Sequence, residues 1–430
     1  MKNDYLVKQK VQPNLDAPPE AALRMIVVIP SCNEPELLHS LEALYRCRRP
    51  SCSVEVIVVI NHCEKASEGV KLQNEKSRHD AQQWINNHND SNLQFHIIYK
   101  PDIPVKHSGV GYARKTGMDE AVYRFQQIGV DDGVIIGFDA DATCDENYFE
   151  EIERTFFAGK PVTGASIYFE HPIDGYEFED EIYEGIVLYE LYLRYLKQAL
   201  RYAGFPYAYH TVGSSFAVSA SAYVKQGGMN KRKAGEDFHF LHKIIPLGNY
   251  VEINTTRVIP SARCSDRVPF GTGATMNQWM TGEKNLLITY PLKLFYNLKQ
   301  FFELVPQLFN ADVKTVEEKC KLLQPAIVDY LSQNDYVTNI AKINANSASP
   351  EAFTKRFFGW FDALKIVKYL NSAYSNLKHQ NNFEKEQFIE EATYELLQRI
   401  GYKNKLKKFA SMERCLELLE IYRDVERGKI

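Results

Sequence analysis

Residues 133–141 read GVIIGFDAD, a short apolar run that ends in two carboxylates, Asp139 and Asp141. The run is rich in β-prone residues and predicts a buried strand. Its carboxylates then lie where the strand leaves the sheet, which is the edge at which open α/β sheets bind ligands. Two carboxylates one residue apart can face one hard cation, and Mg²⁺ or Mn²⁺ would bridge them to nucleotide phosphates. A turn in which the first aspartate only accepts backbone N–H groups is the alternative.

Strand-like and helix-like segments alternate on both sides of this run. Strands are predicted at residues 25–29, 54–60, 93–99, 133–138, 212–218 and 250–258, and helices at 34–46, 81–88, 112–125 and 178–202. Such alternation predicts βαβ units and a largely parallel sheet with right-handed crossovers. The fold class expected from the pattern is therefore α/β.

Three regions differ in character along the chain. Residues 1–22 are polar and contain prolines, which indicates an irregular N-terminal arm. Residues 23–284 hold the alternating pattern and form the predicted α/β domain. From residue 285 to 430 no clear strand pattern appears, and apolar residues recur at helical spacing, as in Phe357, Phe361 and Leu364. We expect a helical C-terminal region there.

Composition excludes several classes of protein. A net charge of −4 over 430 residues argues against a general nucleic-acid binder, which is usually basic. The sequence contains no run of about 18 apolar residues that would predict a transmembrane helix. No apolar segment typical of a signal peptide follows the N-terminal residues. The eight cysteines show no C-x-x-C pair or zinc spacing, which is typical of reduced thiols. We therefore expect a soluble cytoplasmic protein.

A basic run near the C-terminus leaves a peripheral membrane contact open. Its lysines could touch an anionic lipid surface, although a solvated face is the commoner role of such a run. The lysines are Lys403, Lys405, Lys407 and Lys408.

Five motifs follow one another in a fixed order. They are residues 30–34 (PSCNE), 61–63 (NHC), 106–117 (KHSGVGYARKTG), 139–141 (DAD), and 227–229 (GGM) followed by 235–237 (GED). In that order and spacing the chain resembles the family 2 glycosyltransferases of the GT-A fold, over about residues 24–245. The resemblance implies transfer of a sugar from a nucleotide-sugar donor, a UDP- or GDP-sugar, to a hydroxyl acceptor, which could be a glycan or a lipid-linked sugar.

The first three motifs would bind the donor. The resemblance assigns the nucleoside to the loop after the first strand and to the end of the second strand, hence to Pro30, Asn33, Glu34 and Asn61. An amide at Asn61 replaces an aspartate that is common in the family. The glycines of the third motif permit close approach of the backbone to a diphosphate ahead of a helix, and Arg114 adds positive charge. These glycines are Gly109 and Gly111.

The last two motifs would carry the chemistry. The resemblance implies that Asp141 binds a divalent metal, Mn²⁺ or Mg²⁺, and that Asp139 contacts ribose or the metal through water. The metal would neutralise the departing diphosphate. Glu236 and Asp237 are a carboxylate pair at a helix start, and the family's role for Asp237 is that of the base that deprotonates the acceptor, with inversion at the anomeric carbon. Capping of the helix dipole is the alternative role.

One departure from the family concerns a downstream histidine that often ligates the metal. Strand 250–258 leads instead to residues 261–267 (SARCSDR), where Asp266 could replace the histidine and Arg263 or Arg267 could bind a phosphate. An Asp–Arg pair on the surface is the alternative. On the acceptor side, family position points to the loop with His210, Gly213 and Ser214, although a structural role for the histidine is common.

Two other functions are compatible with these motifs. A nucleotidyltransferase would use a similar fold and metal to make a nucleotide sugar, and would release pyrophosphate. A degenerate, non-catalytic protein of this fold would bind a carbohydrate or serve as a scaffold, and the missing histidine agrees with that possibility.

Overall fold

The computed structural model describes residues 4–88, 90–379, 387–402 and 412–430. The chain forms two compact units, one of Met1–Ile186 with Thr211–Gln278 and the other of Val187–His210 with Trp279–Ile430. The boundaries predicted after residues 22 and 284 stay predictions, and the second unit includes a segment, Val187–His210, that lies inside the predicted α/β domain. The four lysines of the membrane hypothesis lie outside the described residues.

The first unit is built on a mixed sheet, which has eight strands in the described residues. The strands are β1 Leu23–Ser31, β2 Ser53–Cys63, β3 Leu93–Ile103, β4 Val134–Gly137, β5 Thr143–Cys144, β6 Gly164–Phe169, β7 Phe216–Ser219 and β8 Tyr250–Ile259, and they lie in the order β3-β2-β1-β4-β7-β6-β8-β5. Strands β3, β2, β1 and β4 are parallel neighbours, as are β6 and β8. Strand β7 is antiparallel to β4 and β6, and β5 is antiparallel to β8.

Helices flank the sheet and make up most of the C-terminal region. They are α1 Asp4–Gln9, α2 Leu37–Arg46, α3 Glu68–Asn87, α4 Val110–Gln127, α5 Tyr148–Phe157, α6 Asp180–Tyr202, α7 Ala220–Lys225, α8 Glu236–Ile244, α9 Thr272–Met280, α10 Leu292–Leu304, α11 Val313–Cys320, α12 Pro325–Ser332, α13 Tyr336–Ala345, α14 Pro350–Trp360, α15 Ala363–His379, α16 Ile389–Arg399 and α17 Met412–Glu426. This architecture confirms the expected class, an α/β protein with a mostly parallel sheet flanked by helices and a helical C-terminal region.

The apolar runs of β1 and β2 are buried along almost their whole length. Continuous apolar strands are typical of parallel sheets with both faces covered. Helix α4 packs closely on these strands, since a Cβ atom added to Gly117 would lie 2.5 Å from Val28 Cγ1 and 3.1 Å from Val59 Cγ2. The small residue at this position lets the first turns of α4, and with them Arg114, lie near the sheet.

Four elements, β5, β6, β7 and α1, differ from the sequence-based expectations. The strand expected at 212–218 is shorter and is shifted to Phe216–Ser219, because the preceding residues form a loop. Strands β5 and β6 were not expected, and β5 has only two residues, which is too short to show a periodic pattern. The N-terminal arm is not wholly irregular, because it contains α1, and Tyr5 of that helix donates a hydrogen bond to Asp119 Oδ1 over 2.7 Å.

Strand direction decides which loops meet. The carboxyl ends of β1 and β4 lie at the same edge because these strands are parallel. Strand β7 is antiparallel to β4, so the residues before Phe216 lie at that edge too. Strand β6 is antiparallel to β7 and parallel to β8, which brings the carboxyl end of β8 to the same edge. The loops after β1, β4 and β8 and the loop before β7 therefore converge.

The second unit has an aromatic core and a buried charge cluster, which consists of Glu190, Arg194, Lys197, Arg423 and Glu426. The Phe301 ring lies 5.5 Å from that of Phe357 and 5.1 Å from that of Phe361, measured between ring centroids.

The expectation that the C-terminal region holds no clear strand is confirmed for the described residues, where only an isolated bridge, Ile288 to Phe388, occurs. Among the described residues, no helix combines the length and apolar character needed to cross a membrane.

Candidate functional site

Arg114 lies at the centre of the converging loops. It is the fifth residue of α4, and its side chain is only 3% exposed. Its Nη2 group donates to Asp139 Oδ1 and its Nη1 group to the carbonyl oxygen of Gly213. Its Nε atom lies 2.9 Å from Glu236 Oε1, an ion pair without the geometry of a hydrogen bond. One guanidinium thus joins the predicted DAD motif, the predicted acceptor loop and the predicted carboxylate pair.

Glycine at position 213 is required by this arrangement. A Cβ atom there would lie 2.5 Å from Arg114 Nη2 and 2.9 Å from Asp237 Oδ2, closer than real contacts allow. The loop backbone therefore packs directly against the charged side chains. Ser214, the next predicted residue of this loop, is fully buried, and its hydroxyl lies 3.3 Å from that of Ser215.

The two glycines predicted to approach a diphosphate face the protein itself. The Gly111 N–H donates to the Arg232 carbonyl over 3.2 Å, and a Cβ atom on Gly111 would lie 2.3 Å from that oxygen. Gly109 has φ of +152°, and its added Cβ atom would lie 3.0 Å from Lys233 Cα. Both glycines are thus explained by close packing of the loop that contains Arg232 and Lys233. Their donor-binding role stays a prediction.

Glu236 and Asp237 begin α8, directly after Gly235, whose φ of 64° is left-handed. Glu236 points inward and is 3% exposed, whereas Asp237 is half-buried. The Phe238 N–H donates to Asp237 Oδ1 over 2.7 Å. Burial raises the pKa of Glu236 to about 7, although Arg114 opposes the shift, and burial likewise raises the pKa of Asp237. Of the pair, Asp237 is therefore the more exposed residue.

A second cluster forms beside the first around Glu34 and Asp141. Arg263 donates to Glu34 Oε1 over 3.0 Å from Nη1, to Glu34 Oε2 from Nη2, and to Asp141 Oδ2 over 3.1 and 2.7 Å from Nε and Nη2. Arg267 donates to Glu34 Oε2 over 2.9 Å and to Asp141 Oδ2 over 3.3 Å. Glu34 is fully buried, so the structure uses it to hold arginines and gives a nucleoside no direct access to it.

The remaining nucleoside candidates lie at the ends of β1 and β2. Asn33 is exposed and has φ of 53°, and Pro30 is partly exposed. Asn61 is buried. Asn74 of α3 joins the two strand ends, because its Oδ1 accepts from the Asn33 N–H over 2.7 Å and its Nδ2 donates to the Asn61 carbonyl over 3.1 Å. Sequence patterns contain no signal for this residue, whose role depends on where α3 packs.

The residues do not fit the divalent cation that the resemblance implies. Asp141 Oδ2 already accepts from two guanidiniums, Asp139 Oδ1 accepts from a third, and a cation between them would meet three like charges. Asp266, the candidate third ligand, is exposed. Within the described parts of the chain, no set of three or more His, Cys, Asp or Glu side chains is arranged to hold a metal.

Asp139 belongs to the Arg114 cluster. Its side chain is 35% exposed. Burial raises the pKa of Asp139. The like charges on Asp141 and Asp237 raise it further, whereas Arg114 lowers it. The raised pKa of Asp139 therefore reflects its burial first, and the neighbouring carboxylates only second.

His210, the other acceptor-side candidate, belongs to the second unit. Its Nε2 atom lies 3.1 Å from Glu426 Oε1, and burial lowers the pKa of the imidazole. The structure thus gives this histidine a partner in the buried charge cluster, and its contact with an acceptor stays a prediction.

We expect the stability of the protein to depend on pH through Glu236. Between its ordinary pKa of 4.5 and the folded value of about 7, the folded chain retains a proton that the unfolded chain releases. The free energy of unfolding therefore falls as pH rises through that window, by at most about 3 kcal/mol. Glu236→Gln should remove this dependence, which urea unfolding at a series of pH values will measure. If the free energies of unfolding of variant and wild type differ by the same amount at every pH between 4.5 and about 7, the assignment to Glu236 is wrong.

Comparisons with known proteins return structures but no sequence family. No family model and no curated protein matches the chain. Similar solved structures include S. aureus TarS 1–349 in complex with UDP-GlcNAc, at 12% identity and a TM-score of 0.40, covering 85% of this chain and 97% of that one. Another is the mannosyltransferase PcManGT from Pyrobaculum calidifontis in complex with GDP-Man and Mn²⁺, at 13% identity and 0.38, covering 99% and 93%.

A third is the glucosyl-3-phosphoglycerate synthase from Mycobacterium tuberculosis in complex with uridine-diphosphate. It is 13% identical with a TM-score of 0.33, covering 63% of this chain and 85% of that one.

Proposed function

We propose that the protein is an inverting glycosyltransferase, which moves a sugar from a UDP- or GDP-sugar to a hydroxyl of a glycan or lipid-linked acceptor. One observation carries the proposal. Asp237 is a half-buried carboxylate with a raised pKa, beside the Arg114 cluster at the edge where the loops converge. A carboxylate of this kind suits general-base work on a hydroxyl, since its basicity is increased while it stays accessible.

The proposed reaction is a single displacement. Asp237 accepts the proton of the acceptor hydroxyl. At the same time, the oxygen of that hydroxyl forms a bond to the anomeric carbon on the face opposite the leaving group. The bond from that carbon to the diphosphate oxygen breaks at the same time, and the nucleoside diphosphate leaves with the electron pair. Inversion follows because there is one displacement. Arg114 positions Asp139 and Glu236, and Glu236 is too buried to touch the acceptor.

The nucleoside would lie near the ends of β1 and β2. Asn33 is the exposed polar side chain there, with Pro30 beside it, whereas the buried amide of Asn61 supports the loop. The divalent cation has no step in this proposal, because Asp139 and Asp141 each already accept from arginines through one carboxylate oxygen.

Product analysis tests the proposal. The purified chain is incubated with UDP- and GDP-sugars, with water or a panel of glycans as acceptor, and the released nucleotide is identified by mass spectrometry. We expect a nucleoside diphosphate and a transferred or free sugar of inverted anomeric configuration. Pyrophosphate formed from sugar phosphate and nucleoside triphosphate would instead identify a nucleotidyltransferase. Donor binding without turnover would identify the non-catalytic carbohydrate-binding alternative.

A further inference from the structure

The two carboxylates that hold Arg263 and Arg267 differ in accessibility. Glu34 is fully buried, both of its oxygens accept from these arginines, and Oε1 also accepts from the Glu36 N–H over 2.9 Å. The Asp141 side chain is 22% exposed and contacts the same two guanidiniums. Glu34 is therefore the fixed anchor that orients the guanidiniums, and Asp141 is an anion at their accessible side.

Three donor groups from two arginines meet at one oxygen of Asp141. They are Nε and Nη2 of Arg263, at 3.1 and 2.7 Å, and Nη2 of Arg267, at 3.3 Å. Convergent guanidinium groups are the usual recognition element for a phosphate oxygen, since they supply charge-assisted and bidentate hydrogen bonds. Asp141 Oδ2 thus marks an anion position that a phosphate oxygen could take.

We propose that Arg263 and Arg267 bind the diphosphate of the donor, which displaces Asp141 from them, and that Glu34 positions both arginines for this exchange. The inference rests on the proposed function. The positive charge that stabilises the leaving diphosphate is supplied by arginine side chains. Displacement is required by the charges, because Glu34 and Asp141 together already balance the two guanidiniums. A diphosphate therefore competes with Asp141 for the same arginine N–H groups.

Asp141→Asn separates this role from that of a metal ligand. The amide keeps the shape but loses the charge with which a diphosphate competes, so we expect UDP, GDP and inorganic pyrophosphate to bind about twofold to tenfold more tightly. Isothermal titration calorimetry in excess EDTA measures this. Unchanged or weaker binding in the variant would overturn the proposal, because removing a charge that competes for the two arginines must strengthen the binding of an anion at their site.

The arginines are tested by Arg263→Gln and Arg267→Gln. Each should weaken binding of the same probes about tenfold, because a hydrogen bond to a charged group is lost. Arg257→Gln is the matched control, since Arg257 is 33% exposed, lies on β8 of the same unit and pairs with Asp145 and Glu170. If Arg263→Gln fails to fold, Arg267→Gln decides, because Arg263 still covers both oxygens of Glu34 in that variant. Unchanged affinity in a folded Arg267→Gln variant would contradict the proposal.

The wild-type titrations distinguish the two levels of inference. Binding of UDP or GDP in EDTA, with no gain on adding Mn²⁺, supports the arginine site. Binding that requires Mn²⁺ overturns it and leaves the glycosyltransferase proposal standing. If neither nucleotide binds under either condition, the proposed function itself fails.

Discussion

Asp237→Asn should reduce donor turnover about 10²–10⁴-fold while leaving the fold and donor binding intact. The amide removes the proton acceptor but keeps the size of the side chain, and its carbonyl oxygen can still accept from the Phe238 N–H that now bonds to Asp237 Oδ1 over 2.7 Å. Turnover is measured as nucleoside diphosphate released per enzyme, and donor affinity by calorimetry. Because only the chemical step needs the base, kcat should fall with little change in the donor Kd.

Asp132→Asn is the control for this prediction. Asp132 precedes β4, is 68% exposed and pairs with Arg24, so the same chemical change there should leave turnover unchanged. A pH profile adds an independent readout, since burial raises the pKa of Asp237 and the acidic limb of kcat should therefore lie above the ordinary range of an aspartate. Near wild-type turnover in Asp237→Asn would rule out the assigned base and with it the proposed mechanism.

Glu426→Gln should lower the free energy of unfolding by about 3–5 kcal/mol. Glu426 lies in the second unit with a side chain that is 1% exposed. It accepts a hydrogen bond from Arg194 and forms an ion pair with Lys197 over 3.0 Å. The neutral amide would leave these buried cations short of one negative charge. Differential scanning calorimetry and urea unfolding measure the loss. The cations lower the pKa of Glu426 against the effect of burial, so this stabilisation is present above its ordinary pKa and is lost as pH falls.

Glu395→Gln provides the comparison for Glu426. It lies on α16 of the same unit and faces Arg399 over 3.3 Å, but the two side chains are 47% and 56% exposed. An exposed pair of this kind contributes about 0.5 kcal/mol or less. Equal effects of the two substitutions would show that burial does not govern the strength of this cluster.

Local patterns in the sequence determined the scaffold. Apolar strands such as residues 54–60 and amphipathic helices such as 34–46 follow from residue periodicity, and the order of strands and helices restricts the topology to a mostly parallel sheet. The same reasoning put polar residues at the carboxyl ends of strands, so Asn33, Asp139 and Asp141 were identified as candidates before their surroundings were known. Strand β5 was not predicted from the sequence, because a strand of two residues shows no periodic pattern.

Partners of the charged residues are a different matter. The sequence identified Glu34, Asp141, Arg263, Arg267 and Asp266 as chemically relevant, but it did not determine which would pair. Their loops lie more than a hundred residues apart, and the pairing depends on the direction of β8 beside β6 and of β7 beside β4. Burial at that edge turned Glu34 into an anchor for two arginines and left Asp266 exposed. The sequence by itself determined the fold class and the set of candidate groups, because these depend on local pattern. Only the tertiary structure decided which charges meet, because electrostatic pairing depends on distance and burial.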